Sequence, residues 1–185
     1  MGAADVLRRA VFLDRDGVLN ETVRRSGRPY PPANAAELRI CAGAEAACAA
    51  LHDAGFLLIG ATNQPDVSRG RTSLATVTAI NDVLVDRLGL QEIRVCPHDD
   101  GEDCGCRKPK PGLLTTAARD FDIDLGSSIM VGDRWKDVAA GDAAGCRTVF
   151  IDRGYDEAQP ASPGLTCREL VDAVQWIIEG KQDRR

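Results

Sequence analysis

No stretch of this 185-residue chain approaches the roughly 18 consecutive apolar residues that a membrane-spanning helix needs, so no membrane partner is expected. Positive charge is not in excess. Lys and Arg number 23 against 28 Asp and Glu, a net charge of −5, which argues against nucleic acid as the main partner. The first nine residues hold no hydrophobic segment of the signal-peptide kind. Val6 stands where a myristoylation motif after Gly2 wants Ser or Thr, and a cytoplasmic protein is expected. Internal repeats, low-complexity tracts and an interdomain linker are also missing. With 44% hydrophobic residues, residues 1–185 are expected to form one domain with a substantial core. Nothing marks a hydrophobic interface, so a monomer is expected. Histidine is scarce, with two residues; the seven cysteines are odd in number, and in a cytosolic chain their thiols stay reduced.

What is present starts with residues 10–20, AVFLDRDGVLN. A short apolar run ends abruptly in two carboxylates and a glycine, as a buried parallel strand does when its C-terminal end carries acids. Asp14 and Asp16 are two apart, so persisting strand geometry would point both to one face. Two like charges that close need a cation such as Mg2+, or one acid held protonated. A calcium loop is excluded, because Arg25 stands where an EF-hand places its Glu.

Further along, a helix is expected over residues 43–54 and a buried strand over 56–61, ending in Thr62, Asn63 and Gln64. Thr72 can cap a helix over 73–88. A short strand at 92–95 leads to a cysteine-rich loop, 96–106, then to Arg107 and Lys108. Pro111 suits the first turn of a helix over 111–121. A strand at 128–131 ends in Gly132 and Asp133, and a helix over 135–144 follows with Asp137 in its first turn. A fifth strand at 147–151 and a closing helix at 168–180 precede a frayed tail, 181–185. The proline-rich segment 21–37 reads as an ordered loop. The alternation predicts an α/β fold, a parallel sheet with helices on both faces. Four polar sets then meet at one sheet edge: Asp14/Asp16, Thr62/Asn63, Arg107/Lys108 and Asp133/Asp137.

Together these sets suit a phosphate monoester, which needs a nucleophile, a proton donor and positive charge on its oxygens. Asp14 can attack phosphorus and form an aspartyl-phosphate. Asp16 can protonate the leaving oxygen and then deprotonate the water. Asp14, Asp133 and the backbone carbonyl of Asp16 can hold Mg2+. Lys108 and the Thr62 hydroxyl can hold the remaining oxygens. Separately, Cys96, His98, Cys104 and Cys106 form C-x-H-x5-C-x-C, four ligands on one loop that match a closed structural zinc site.

The order of FLDRDGVLN, ATNQ, RKPKPG and MVGDRWKD resembles the haloacid dehalogenase (HAD) superfamily of aspartate-nucleophile phosphatases, over about residues 10–151. The resemblance implies a Rossmann-like sheet, with Asp14 as nucleophile, Asp16 as acid/base, Thr62 and Lys108 on the phosphoryl group, and Asp133 on Mg2+. Asp137 matches the second acid of the last motif, in the outer shell of the metal. Neither gap between motifs holds an extra domain, so the fold is expected to be capless, with loops 21–34 and 96–106 as walls of an open site. The zinc loop running into R-K-P-x-P-G looks like the branch of heptose bisphosphate and histidinol phosphate phosphatases. By that likeness Arg107 recognises substrate, and Asn63 and Gln64 line the pocket.

Within the branch, a small sugar phosphate with two phosphates is favoured, because Arg24, Arg25 and Arg28 could meet the second one. The acids Asp99, Asp100, Glu102 and Asp103 could instead attract the amino group of histidinol, be a solvated loop tip, or balance the arginines. A phosphotransferase is disfavoured by the missing cap, since transfer needs water excluded. A non-catalytic zinc-stabilised scaffold is disfavoured by the intact Asp14, Asp16, Lys108 and Asp133.

Overall fold

A computed structural model describes residues 7–25 and 28–180, with the side chains of Arg24, Arg25 and Arg28 outside the description. The tail expected over 181–185 also lies outside the described residues.

Six parallel strands form one sheet in the order β5-β4-β1-β6-β7-β8. They are β1 (Ala10–Leu13), β4 (Leu57–Asn63), β5 (Glu92–Cys96), β6 (Ile129–Gly132), β7 (Arg147–Ile151) and β8 (Leu165–Cys167). The central strands are continuous apolar runs because both faces are covered. Along β1, Val11 and Leu13 enter one hydrophobic cluster while Ala10 and Phe12 enter the other, the period-2 alternation of a strand. The first cluster takes apolar residues of α1 (Ala44–Asp53), α2 (Leu74–Leu88) and α5 (Leu170–Glu179). The second takes those of α3 (Gly112–Asp120). The helix α4 (Trp135–Ala144) lies close to the sheet at Gly141, where a Cβ would come within 2.7 Å of Met130 and Thr148 side chains.

The chain runs outward from β1 through β4 to β5, then returns to the other flank of β1 and runs outward again through β6, β7 and β8. The reversal puts a topological switch point at β1, and ligands of open α/β sheets sit beyond the C-terminal strand ends there.

Three expectations need correction. Segment 21–37 is not all loop: β2 (Val23–Arg25) and β3 (Arg28–Tyr30) pair antiparallel, Val23 opposite Tyr30. Pro29 is accommodated in a two-stranded ribbon whose outer edges need no ladder partner. A sixth sheet strand, β8, was not anticipated; it has three residues, none fully buried, at the sheet edge. Helix α2 is capped by Ser73, which accepts from the Thr76 amide at 3.0 Å, rather than by Thr72.

Candidate active site

The four polar sets meet at the switch point. Strand β1 ends at Leu13, and the Asp14 amide still donates to the Val131 carbonyl at 2.9 Å, which ties the first acid to β6. The strand geometry does not persist to Asp16. The chain turns there, with Gly17 at φ 95°. A Cβ at Gly17 would lie 1.9 Å from Oδ2 of Asp133, so this position needs glycine for both conformation and space.

Beneath the cleft lies Lys108, 2% exposed. Its ammonium has three donors. They meet Oδ1 of Asp14 at 2.6 Å, Oδ1 of Asp137 at 2.6 Å and the Ala61 carbonyl at 2.6 Å. Burial favours the neutral amine, but the Asp137 and Asp14 carboxylates outweigh it and hold the lysine above its ordinary pKa. Oxygens of Asp14, Asp133 and Asp137 all lie within 4.8 Å of one another. Burial pushes the Asp14 carboxyl up to about 6; Asp137 and Asp16 add to the rise and Lys108 opposes it. Asp133 is raised well above the usual range by burial, then by Asp14 and Asp137.

Three carboxylates and one ammonium leave two negative charges, the deficit that a divalent cation fills. The free valences say where. Asp137 uses Oδ1 on Lys108 and Oδ2 on the Arg134 amide at 3.0 Å. Neither oxygen of Asp133 accepts a hydrogen bond of good geometry, although the residue is 2% exposed. The Tyr155 hydroxyl interacts with this carboxylate, and two buried oxygens so thinly held beside Asp14 suit a hard cation with oxygen ligands.

Asp16 is held by donors alone. Arg15 reaches it through Nη2 at 2.9 and 3.1 Å and Nε at 3.2 Å, Asn20 Nδ2 at 3.0 Å and Gln64 Nε2 at 2.7 Å. Arg15 is 1% exposed and anchored on Asn81 of α2, 3.0 Å away. Sequence reasoning missed Arg15, Asn20 and Asn81. A polar Asn81 on the apolar face of α2 was the available signal.

Thr62 is buried, and its hydroxyl accepts from Gln64 Nε2 at 2.9 Å, so its own proton remains to be offered to an anion. Asn63 and Gln64 line the cleft, but their amides act on the protein. Asn63 exchanges two hydrogen bonds with the Lys108 backbone, at 3.0 and 3.1 Å, and fixes the lysine in place. Arg107 also lines the cleft, donating to Asp100 at 2.9 Å and the His98 carbonyl at 3.1 Å.

The cleft has a volume of about 910 Å3 and is walled by Pro29, Tyr30 and Pro31 of the hairpin. Sequence reasoning also missed Arg69, Arg134, Lys136 and Tyr155 on its walls. The side chains of Arg24, Arg25 and Arg28, expected at a second phosphate, lie outside the described residues.

Cys96, His98, Cys104 and Cys106 converge next to the site. Cys96 and Cys104 Sγ atoms are 3.7 Å apart, and His98 Nδ1 is 3.5 Å from Cys96 and 3.3 Å from Cys106. A tetrahedron with Zn–S about 2.3 Å and Zn–N about 2.0 Å has edges of about 3.8 and 3.5 Å. These three separations are close to those edges, and all four ligand atoms lie within 4.8 Å of one another. The loop also packs on the start of α3, where a Cβ at Gly112 would meet the Gly105 carbonyl at 2.2 Å.

The chain is also similar to known proteins. A family model described as HAD-hydrolase-like matches residues 105–173. The D-glycero-beta-D-manno-heptose-1,7-bisphosphate 7-phosphatase of Bordetella bronchiseptica is 31% identical, over 91% of this chain and 97% of that protein. The D-glycero-alpha-D-manno-heptose-1,7-bisphosphate 7-phosphatase of Photorhabdus laumondii is 31% identical, over 92% and 97%. Among solved structures, the B. bronchiseptica D,D-heptose 1,7-bisphosphate phosphatase complexed with magnesium and phosphate superposes with a TM-score of 0.78. It has 28% identity, covering 92% of this chain and 98% of that one.

Proposed function

Since this chain belongs to the HAD-like phosphatases, in the family of the heptose bisphosphate 7-phosphatases, we propose that it hydrolyses the 7-phosphate of D-glycero-D-manno-heptose 1,7-bisphosphate. The observation that carries the reading is the buried Lys108, joined to Asp14 and Asp137, with the buried Asp133 carboxylate beside them. A non-catalytic scaffold has no use for three buried acids around one lysine.

Asp14 attacks phosphorus, and the bond to the sugar oxygen breaks. Asp16 delivers a proton to that oxygen, and the phosphoryl group is left esterified to Asp14. Water then attacks the aspartyl-phosphate, Asp16 takes its proton, and inorganic phosphate leaves. The Thr62 hydroxyl stabilises an equatorial oxygen as charge develops on it, and Lys108 stabilises another by turning the donor it gives Asp14 toward the phosphoryl group. Asp14, Asp133 and the backbone carbonyl of Asp16 would hold Mg2+, which when bound neutralises the acids so that one of them can approach a dianion. Cys96, His98, Cys104 and Cys106 would hold a structural Zn2+. One argument for histidinol phosphate is the cluster of acids in residues 99–103. These are engaged: Asp99 with Arg69, Asp100 with Arg107, Glu102 with Ser68 and Asp103 with Lys110.

The test compares heptose 1,7-bisphosphate with histidinol phosphate on wild type and Asp14→Asn. Wild type should prefer the heptose, and the variant should lose about 10^3-fold or more of its rate with its fold intact. A faster histidinol reaction would overturn the substrate; an active Asp14→Asn would overturn the nucleophile.

A further inference from the structure

Of the four acids in the zinc-loop tip, Asp100 is placed unlike the others. Cations from three separate segments surround it: Nε of Arg107 at 2.9 Å, Nζ of Lys136 in the first turn of α4 at 3.5 Å, and Nη2 of Arg69 at 3.9 Å. All three cations line the catalytic cleft, and Asp100, 63% exposed, meets them at its rim. Arg69 is shared with Asp99 and Asp66, and Arg107 with the His98 carbonyl, whereas among the described residues the one acid within 4.0 Å of Lys136 is Asp100. Like charges from distant parts of the chain repel at a cleft mouth unless anions offset them. Here the protein supplies such an anion itself.

We propose that Asp100 is an internal counter-anion, displaced when the second phosphate of a sugar bisphosphate reaches Arg69, Arg107 and Lys136. This rests on the bisphosphate reading above. A phosphate monoester carries nearly two charges and three acceptor oxygens against one charge and two oxygens for a carboxylate, so it wins the exchange. A substrate with one phosphate leaves Asp100 where it is. An aspartate side chain is ordinarily ionised throughout the neutral range, so the acid competes there.

The experiment measures KM for heptose 1,7-bisphosphate and for heptose 7-phosphate on wild type, Asp100→Asn and Asp103→Asn. Asp103 pairs with Lys110 away from the cleft and serves as the charge-matched control. In Asp100→Asn the bisphosphate KM should fall about threefold to fivefold relative to that of the monophosphate, the scale of an exposed ion pair. Asp103→Asn should leave the ratio unchanged. An unchanged or higher bisphosphate KM in Asp100→Asn, or an equal fall for both substrates, would overturn the proposal alone. Wild type that turns over no heptose bisphosphate would overturn the functional reading and this inference with it.

Discussion

Asp14 sits in surroundings that oppose its own charge. Burial, Asp137 and Asp16 all disfavour the carboxylate, only Lys108 favours it, and the net result is a carboxyl pushed up to about 6. Asp133 is raised in the same direction, chiefly by burial. A carboxyl with a higher pKa folded than unfolded binds more protons in the folded state. Its contribution to stability is therefore fullest below the unfolded value of 3.8 and is lost as pH rises through about 6. A cation that binds the ionised acids reverses this loss. Protein dialysed free of Mg2+ should melt at lower temperature as pH rises across that window. Added Mg2+ should raise the melting temperature more at about pH 7.5 than at about pH 5, because only the folded, ionised site binds it. Thermal melts at the two pH values decide the matter, and equal Mg2+ shifts at both would count against these acids as the ligands.

At the scale of the element, the cysteine loop has little core of its own. Cys96 is buried, but Cys104 and Cys106 are only partly so. Cys96 is pushed up to about 12 by burial, while Cys104 is lowered to about 7, where hydrogen bonds from the Arg107 amide and neighbouring thiols outweigh burial. Binding zinc must therefore displace protons, and the loop should hold its metal less well as pH falls. Lys108 follows Cys106 by two residues, so the loop sets the position of the ammonium that Asp14 and Asp137 share. We expect about one zinc per chain by elemental analysis. Cys106→Ala should lose the metal, become open to proteolysis within residues 96–106, and lose most activity while the six-stranded sheet persists. Full activity in a zinc-free variant would remove the loop from the catalytic apparatus. Elements of this kind differ in how far sequence discloses them. Strands β1, β4, β6 and β7 are legible because burial on both faces makes them continuous apolar runs. Strand β8 and the hairpin are not. One is a three-residue edge strand without a fully buried residue, and the other carries a proline that reads as loop. The site acids and Lys108 are legible because each sits where an apolar run or a motif ends. Arg15, Asn81 and Lys136 are not, because their roles arise from contacts between segments far apart in the chain.

At the scale of the molecule, the switch point gathers loops from β1, β4, β5 and β6, and a segment after β7 ties two of them together. Arg153 donates through Nε to the Gly17 carbonyl at 2.8 Å, crossing from beyond β7 to the turn that carries Asp16. Two residues on, the Tyr155 ring lies under the Arg134 guanidinium, 5.2 Å from its centroid, and Glu157 pairs with Arg134 at 3.1 Å. One short segment is thus fixed to the loops of β1 and β6, on either side of the Asp133 carboxylate. That arrangement makes the spacing between the Gly17 turn and Asp133 a property of the whole sheet edge. The first strand alone does not set it. Replacing Arg153 by Leu leaves the Gly17 carbonyl without its charged donor, a loss on the order of 1.5–3 kcal/mol for a hydrogen bond to an ion. At about 2–4 °C per kcal/mol for a chain of this size, the melting temperature should fall by several degrees. Because the turn that loosens holds Asp16, the proposed acid/base, and faces the proposed cation site, kcat should fall and the Mg2+ concentration for half-maximal rate should rise. The KM for substrate should change less. Glu157→Gln, which weakens only the partly exposed pair with Arg134, should show a smaller drop on all three measures. Equal losses in kcat and stability for the two variants, with no change in Mg2+ dependence, would mean that the segment merely packs against the site and does not position it.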